Sequence, residues 1–236
     1  MPDKVQGICF IVPTPIGNLA DITLRAIEVL KTVAVIYAED TRTSSVLLKK
    51  YGITTPVKSF HKFNEHQLLP HIAVTLESGS DIALISDAGT PGVSDPGFSL
   101  VQYLHQKSIT VSCLPGATAL IPALVMSGLS SDKFFFEGFL PHKKGRKTRL
   151  EWIAKQENTV ILYESPYRLS KCISELISVC GEERKVSVIR EISKIHEQVV
   201  TDSLGVISQK IQQQNIPSKG EIVIILAGTS LKKKKE

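Results

Sequence analysis

Four short apolar runs in the first half of the chain are each followed by a stretch with helical spacing. This alternation constrains the fold more than any other feature. The runs cover residues 8–13, 33–39, 82–87 and 110–114. Their near-continuous apolar character suits strands covered on both faces of a parallel sheet. Between them, residues 23–31, 41–50, 65–77 and 97–107 carry apolar side chains on one helical face. A βαβα order predicts a parallel α/β layer structure. Thr23 is placed to cap the first helix through its hydroxyl, and Pro70 should kink or split the third.

The second half reads differently. Residues 117–127, 145–156, 166–180 and 204–214 have helical patterns, and residues 134–139, 159–163, 185–192, 197–203 and 221–227 have strand patterns. Two adjacent strands near 185–203 suggest an antiparallel hairpin in a mixed sheet. The expected fold class is therefore α/β with two domains, the first a parallel sheet layered with helices and the second a mixed sheet with helices. The Pro115-Gly116 turn marks the change, giving domains 1–115 and 116–228 and a disordered basic tail, 229–236.

Charge separates the same two halves. Residues 1–115 hold 9 basic and 10 acidic side chains, and residues 116–236 hold 19 and 13. Part of the excess is the terminal run Lys232–Lys235, read as a solubilising end. The internal cluster His142-Lys143-Lys144-Gly145-Arg146-Lys147-Thr148-Arg149 has five permanent cations and no carboxylate. Self-repulsion makes such a cluster costly unless an anion meets it, and nucleic-acid phosphate is the natural candidate beside a merely solvated helix start. With 42% hydrophobic and 22% charged residues the chain is of globular composition, which excludes a wholly disordered chain, a collagen-like chain or a simple coiled coil. No apolar run reaches the ~18 residues of a membrane span, and no signal peptide is recognised, so a soluble cytoplasmic protein without a membrane partner is expected. Cys9, Cys113, Cys172 and Cys180 form no C-x-x-C pair and are expected to be reduced thiols.

The loops after the strands are rich in glycine and proline. They are Pro13-Thr14-Pro15-Ile16-Gly17-Asn18-Leu19-Ala20-Asp21, the segment from Ser86 to Gly97, and Leu114-Pro115-Gly116-Ala117-Thr118. Glycine admits close backbone approach and proline stiffens a loop. In open parallel sheets, ligands bind at these carboxyl ends. A Walker A loop is absent, as are a Rossmann Gly-x-Gly-x-x-Gly and a serine nucleophile elbow. His61, His66 and His71 are five apart and do not share a helical face, so no metal is expected. What is left is a nucleotide-like ligand gripped by backbone groups.

Several segments carry a family resemblance. These are Val12–Leu19, Ala38-Glu39-Asp40-Thr41-Arg42, Ser86–Gly97, Leu114–Thr118 with Ser127-Gly128-Leu129, Phe136-Glu137-Gly138-Phe139-Leu140-Pro141, Tyr163-Glu164-Ser165-Pro166 and Lys219-Gly220-Glu221. Together they resemble the ribosomal RNA small subunit methyltransferase I family, within the tetrapyrrole methylase superfamily. The likeness runs from about Ile8 to Gly228, and seven motifs in one order are a specific signal. It implies methyl transfer from S-adenosylmethionine to the ribose 2′-hydroxyl of a cytidine in the decoding region of 16S rRNA. It also implies two α/β domains with the cofactor in the cleft between them, a homodimer, and 16S rRNA or the small ribosomal subunit as partner. Carried over by motif, the cofactor contacts are Pro13, Thr14, Pro15, Asp87, Ala88, Gly89, Thr90, Val93, Ser94 and Asp95. Thr118, Phe139, Leu140, Tyr163, Gly220 and Glu221 close the pocket. Small-molecule tetrapyrrole methylases typically show Gly-x-Gly-Pro-Gly-Asp in the first loop. Thr14-Pro15-Ile16-Gly17-Asn18 stands here instead, which disfavours a porphyrin-type substrate.

A carboxylate near the hydroxyl can act as general base, and Glu39, Asp40 and Asp21 follow strand ends. The alternative for Glu39–Arg42 is a helix cap with an Asp40–Arg42 surface pair. Lys143, Lys144, Arg146, Lys147 and Arg149 are expected phosphate contacts, with Arg42 and Arg168 nearer the cofactor. Rival readings are a tetrapyrrole methylase, a non-catalytic RNA-binding assembly factor, and a nucleotide-binding enzyme of another reaction type.

Overall fold

The structure, a computed structural model, describes residues 6–229. The lysine run of the tail lies outside the described residues. The chain divides into two compact units, Met1–Thr118 and Ala119–Glu236. Residues 116–117 belong to the first unit for a local reason. Gly116 lies so close to Pro13 that an added Cβ would come within 2.7 Å of the proline ring, and the Ala117 carbonyl accepts a hydrogen bond from the Thr90 hydroxyl at 3.1 Å.

The first unit is a five-stranded parallel sheet. Its strands are β1 (Cys9–Ile11), β2 (Val35–Ala38), β3 (Val57–Ser59), β4 (Ile82–Ile85) and β5 (Val111–Cys113), in the order β3-β2-β4-β1-β5. The helices are α1 (Leu24–Thr32), α2 (Thr41–Lys50), α3 (Glu65–Glu77) and α4 (Phe98–Gln106). Strand side chains alternate between faces. Ile36, Ala38, Ala83 and Ile85 pack with Ala26 and Leu30 of α1 and Leu47 and Leu48 of α2. Val35, Tyr37, Ile82 and Leu84 pack with Ile72 and Leu76 of α3 and Leu100 and Leu104 of α4. Both faces are therefore covered, which explains the uninterrupted apolar runs.

Thr23 caps α1, accepting from the Ala26 N–H at 3.1 Å. Strand β3 has no counterpart in the sequence reading. It is three residues long at the sheet edge, with Lys58 and Ser59 exposed, so it carries no apolar signal. Of the two outcomes expected at Pro70, a kink or a split, the split does not occur, and α3 runs on through the proline. It is exposed, and the buried face of Leu69, Ile72, Ala73 and Leu76 holds the helix through it.

The second unit is a mixed sheet of β6 (Phe134–Phe139), β7 (Thr159–Glu164), β8 (Lys185–Arg190), β9 (Gln198–Ser203) and β10 (Ile222–Leu226), ordered β6-β7-β10-β8-β9. β6 and β7 are parallel, and the remaining pairs, including the β8–β9 hairpin, are antiparallel. Helices α6 (Arg146–Ala154), α7 (Leu169–Cys180) and α8 (Leu204–Gln212) bury Leu150, Ile153, Leu169, Ile173, Leu176, Leu204 and Ile207 on one face of the sheet. Helix α5 (Leu120–Ser127) packs against β8, β9 and β10, and the Thr201 hydroxyl donates to the Ser127 carbonyl at 3.1 Å. The four cysteines are free thiols, with Cys9 and Cys172 buried. Among the described residues no helix is long and apolar enough to cross a membrane.

Candidate active site

Strand order determines where a ligand can enter the first unit. From β1 the chain crosses toward β2 through α1, and from β4 it crosses toward β5 through α4. These neighbouring strands send their connections to opposite faces, the arrangement that opens a crevice at the carboxyl ends of a parallel sheet. The two loops that leave β1 and β4 are the glycine- and proline-rich ones, and they are bonded to each other. The Thr14 N–H donates to the Gly89 carbonyl at 2.9 Å and the Gly89 N–H to the Thr14 carbonyl at 2.8 Å. The Thr14 hydroxyl donates to the Ser86 carbonyl at 3.0 Å, and Ser86 Oγ donates to the Gly89 carbonyl at 3.2 Å. Pro13, Thr14, Pro15 and Gly89 are buried, so the loops are stiff where they meet.

The β4 loop then takes a path open to few residues. Gly89 and Gly92 have φ of +81° and +84°, and Ser94 adopts +67°. Such left-handed backbone is strained for a side-chain-bearing residue and is concentrated at functional sites. Ala88, Thr90 and Val93 line this turn, each half-buried. The loop ends at Gly97, which opens α4 at φ +135°.

Three carboxylates gather at this edge. Glu39 follows β2, while Asp87 and Asp95 lie in the β4 loop. Asp87 Oδ1 accepts from the Asp40 N–H at 3.1 Å, which ties the β2 and β4 ends together. Burial first, then the negative charges of Asp95 and Asp87, push the Glu39 carboxyl above its ordinary range. Burial first, then Asp87, raise Asp95 to about 6, against a smaller opposing effect of the Ser86 hydroxyl. Carboxylates crowded together in part-buried surroundings favour either protons or a cationic guest.

Asp40 corrects one expectation. It is the N-cap of α2, accepting from the Arg42 N–H at 2.8 Å, and it pairs with the Arg42 guanidinium at 2.8 Å. Its hydrogen bonds to Arg42 hold its carboxyl down at about 2. A group so committed and so acidic is a poor proton acceptor, so the capping alternative describes it. Asp21 ends a short 3₁₀ turn, Leu19–Asp21, on the exposed rim of the β1 loop.

In the second unit, β6 carries a bulge between Phe136 and Gly138, with Gly138 at φ +67°. A bulge re-aims the side chains that follow it. Phe139 is exposed while Leu140 is buried, and Tyr163 meets Phe136 and Phe139 edge-to-face. Arg149 pairs with Glu137 at the bulge and stacks over Trp152 at 4.3 Å. Arg146 departs from expectation. It is only 6% exposed, donates to Glu175 at 2.6 Å and to the Pro141 carbonyl at 3.1 Å, and lies 3.8 Å from the buried Glu164. The expected self-repulsion is thus relieved by Glu137, twelve residues before Arg149, and by Glu164 and Glu175 beyond the cluster, and Arg146 belongs to the fold. Arg168 pairs with Glu164 at 2.7 Å and reaches the His142 ring at 3.1 Å. Lys143, Lys144 and Lys147 point to solvent.

Gly220 and Glu221 lie just before β10, with Gly220 at φ +81°. Their partners Glu191 and Lys194, in the β8–β9 turn, were not singled out in the sequence. An acid and a base three apart after an apolar strand were the only signal there. Among the described residues no group of three His, Cys, Asp or Glu could hold a metal ion.

Comparison with known proteins adds to this geometry. Residues 9–207 match the family model described as Tetrapyrrole (Corrin/Porphyrin) Methylases. The ribosomal RNA small subunit methyltransferase I of Synechocystis sp. is 46% identical over 226 residues, which span 95% of this chain and 80% of that protein. Among solved structures, a cobalt precorrin-4 methyltransferase of cobalamin biosynthesis superposes with a TM-score of 0.69 at 18% identity, over 97% of each chain. The uroporphyrin-III C-methyltransferase of Thermus thermophilus, solved with S-adenosylhomocysteine, gives 0.63 at 17% identity over 94% of this chain and 97% of its own. At these identities the two structures show a shared fold.

Proposed function

Because the chain belongs to the ribosomal RNA small subunit methyltransferase I family of the tetrapyrrole methylases, we propose that it transfers a methyl group from S-adenosylmethionine to the 2′-hydroxyl of a cytidine in 16S rRNA. The observation that carries this reading is the pair of interlocked loops at the β1–β4 crevice, bordered by Glu39, Asp87 and Asp95. These residues fit the donor. Its sulfonium and ammonium groups are cationic, and the carboxylates of Asp87 and Asp95 are of opposite sign, which leaves Glu39 for the hydroxyl. Its adenosine needs backbone donors and acceptors close by, and Gly92 exposes backbone there without a Cβ atom. Pro13, Thr14, Pro15, Ala88, Thr90, Val93 and Ser94 are the other contacts we assign in this unit, and Thr118 closes it. In the second unit we assign Phe139, Leu140, Tyr163, Gly220 and Glu221.

When bound, the donor supplies a methyl group already activated by the sulfonium, so no covalent enzyme intermediate is needed. The chain's part is to orient the hydroxyl and receive its proton. Orientation alone supplies a large share of such a rate enhancement. Glu39 is the group we assign as proton acceptor, since its environment raises its basicity while Asp40 is spent on capping. Lys143, Lys144 and Lys147, the last 3.9 Å from Glu151, are the exposed cations we assign to RNA phosphate, together with Arg168, held by Glu164, and Arg42, held by Asp40. Phosphate contacts place the RNA without choosing the nucleotide.

The test is incubation of unmodified 16S rRNA, and of small subunits carrying it, with the protein and S-adenosylmethionine, followed by nucleoside mass spectrometry. The expected product is 2′-O-methylcytidine. A methylated base, or RNA that stays unmodified in both forms, would overturn the proposal.

A further inference from the structure

The turn after β3 has no part in the chemistry assigned above. Strands β2 and β3 run parallel, and the Phe60 N–H donates to the Ala38 carbonyl at 2.8 Å. Phe60 therefore lies beside the start of Glu39, and the turn 61–64 leaves the same carboxyl edge of the sheet. Asn64 fixes its geometry. Although Asn64 is the N-cap residue of α3, its side chain caps no helical N–H. It accepts from the His61 N–H at 2.8 Å and donates to the Ser59 carbonyl at 3.1 Å. The Phe63 N–H donates to His61 Nδ1 at 3.3 Å, and the two rings meet edge-on with centroids 6.0 Å apart. Phe60, which leads into the turn, is buried edge-to-face on Tyr37.

A turn held so firmly presents Phe63 at 89% exposure. Folding gains almost nothing from a phenylalanine ring left in water. Its surroundings are cationic. Lys58, Lys62 and His66 are exposed, and the one carboxylate of residues 57–66, Glu65, is withdrawn to 15% exposure. Arg42 is exposed at the neighbouring end of β2. Strand order keeps this flank apart from the other carboxylates. β3 stands at the sheet edge outside β2, while Asp87 and Asp95 follow β4 on the other side of β2. An aromatic ring set among cations is the makeup of a single-stranded nucleic-acid platform, where bases stack on the ring and cations follow the phosphates.

We propose that Phe63 is an RNA contact whose ring stacks on an unpaired base of the substrate, next to the ribose that Glu39 serves. Phe63 is three residues beyond Phe60, at most about 11 Å of chain, so one strand can meet both. The inference rests on the function proposed above and adds a base contact to the phosphate contacts assigned there. Stacking accepts every base, so it holds the strand without choosing cytidine.

Fluorescence and filter binding on the full chain test it. In Phe63→Trp, an unpaired oligoribonucleotide of about ten nucleotides should quench the introduced indole beyond any response of Trp152 in the parent. Affinity for the same oligoribonucleotide should fall about tenfold in Phe63→Ala, the scale of one lost stacking contact. It should fall as far in Phe63→Leu, which keeps an apolar side chain without a ring, and hold in Phe63→Tyr. Melting temperatures should stay at the parent value, since the ring is exposed. With 16S rRNA as substrate, KM for RNA should rise in Phe63→Ala while kcat and calorimetric donor affinity stay. Parent affinity in Phe63→Ala, or no added quenching in Phe63→Trp, overturns the inference and leaves methyl transfer standing. So does a changed association state of Phe63→Ala in sedimentation velocity, which would make the ring a contact between copies. Quenching in Phe63→Trp alongside a wild type that methylates no RNA overturns the methyl-transfer reading and keeps the stacking contact.

Discussion

Glu39 and Asp95 show how side chains are tuned by where the backbone leaves them. Glu39→Gln should lower turnover about a hundredfold or more, the usual scale of a lost general base, while calorimetric affinity for S-adenosylmethionine holds. Turnover at the wild-type level would remove Glu39 from the chemistry. Asp95 makes a separate prediction for stability. Its folded-state value of about 6 lies above the ordinary carboxylate range. Between that range and about pH 6 the folded chain keeps a proton that the unfolded chain has released. Stability therefore falls as pH rises through this window, and the deficit is complete above it. Asp95→Asn should be more stable than the parent in chemical denaturation at pH 8, and the difference should vanish near pH 4. The basicity of Glu39 was not readable from Glu39-Asp40-Thr41-Arg42, because it comes first from burial in the folded chain and then from Asp95 and Asp87, which arrive from another strand.

At the scale of elements, the connections rather than the strands carry the constraints. Gly97 opens α4 at φ +135°, and an added Cβ would lie 3.0 Å from Leu84 Cδ2. Gly97→Ala should cost about 1–3 kcal/mol in urea unfolding, and an unchanged midpoint would show that the loop rearranges freely. Helix α6 gives the opposite lesson. Its first residue, Arg146, looks like a surface cation in sequence and is instead the counter-charge of Glu175 and Glu164. Arg146→Ala should destabilise by about 1–3 kcal/mol, since it takes the counter-charge from part-buried Glu175 and leaves buried Glu164 to Arg168, and the salt dependence of RNA binding should stay as in the parent. Strand periodicity and helix spacing were legible throughout, apart from the short edge strand β3 and the persistence of α3 through Pro70, where packing outweighs one missing backbone donor.

For the molecule as a whole, the charge division between the halves is the property we propose for meeting RNA. Burial of Arg146 and the Arg149–Glu137 pair trims the basic cluster to its lysines. Lys143→Ala and Lys144→Ala should each lower the slope of log affinity against log salt by about one. Filter binding across a salt series measures this, and a slope that does not move in the double variant would take the cluster out of the RNA-binding surface.

The α/β class, the order of elements along the chain apart from β3, and the glycine- and proline-rich strand ends followed from the sequence alone. Apolar periodicity and turn chemistry are local, and they report the backbone path of the residue that carries them. Strand order, the bond between Thr14 and Gly89, the carboxylates that surround Glu39, the burial of Arg146 and the place of the 61–64 turn beside the end of β2 were decided only in the folded chain. Each depends on groups tens of residues apart, and charge and hydrogen bonding act through space at separations that no local pattern records.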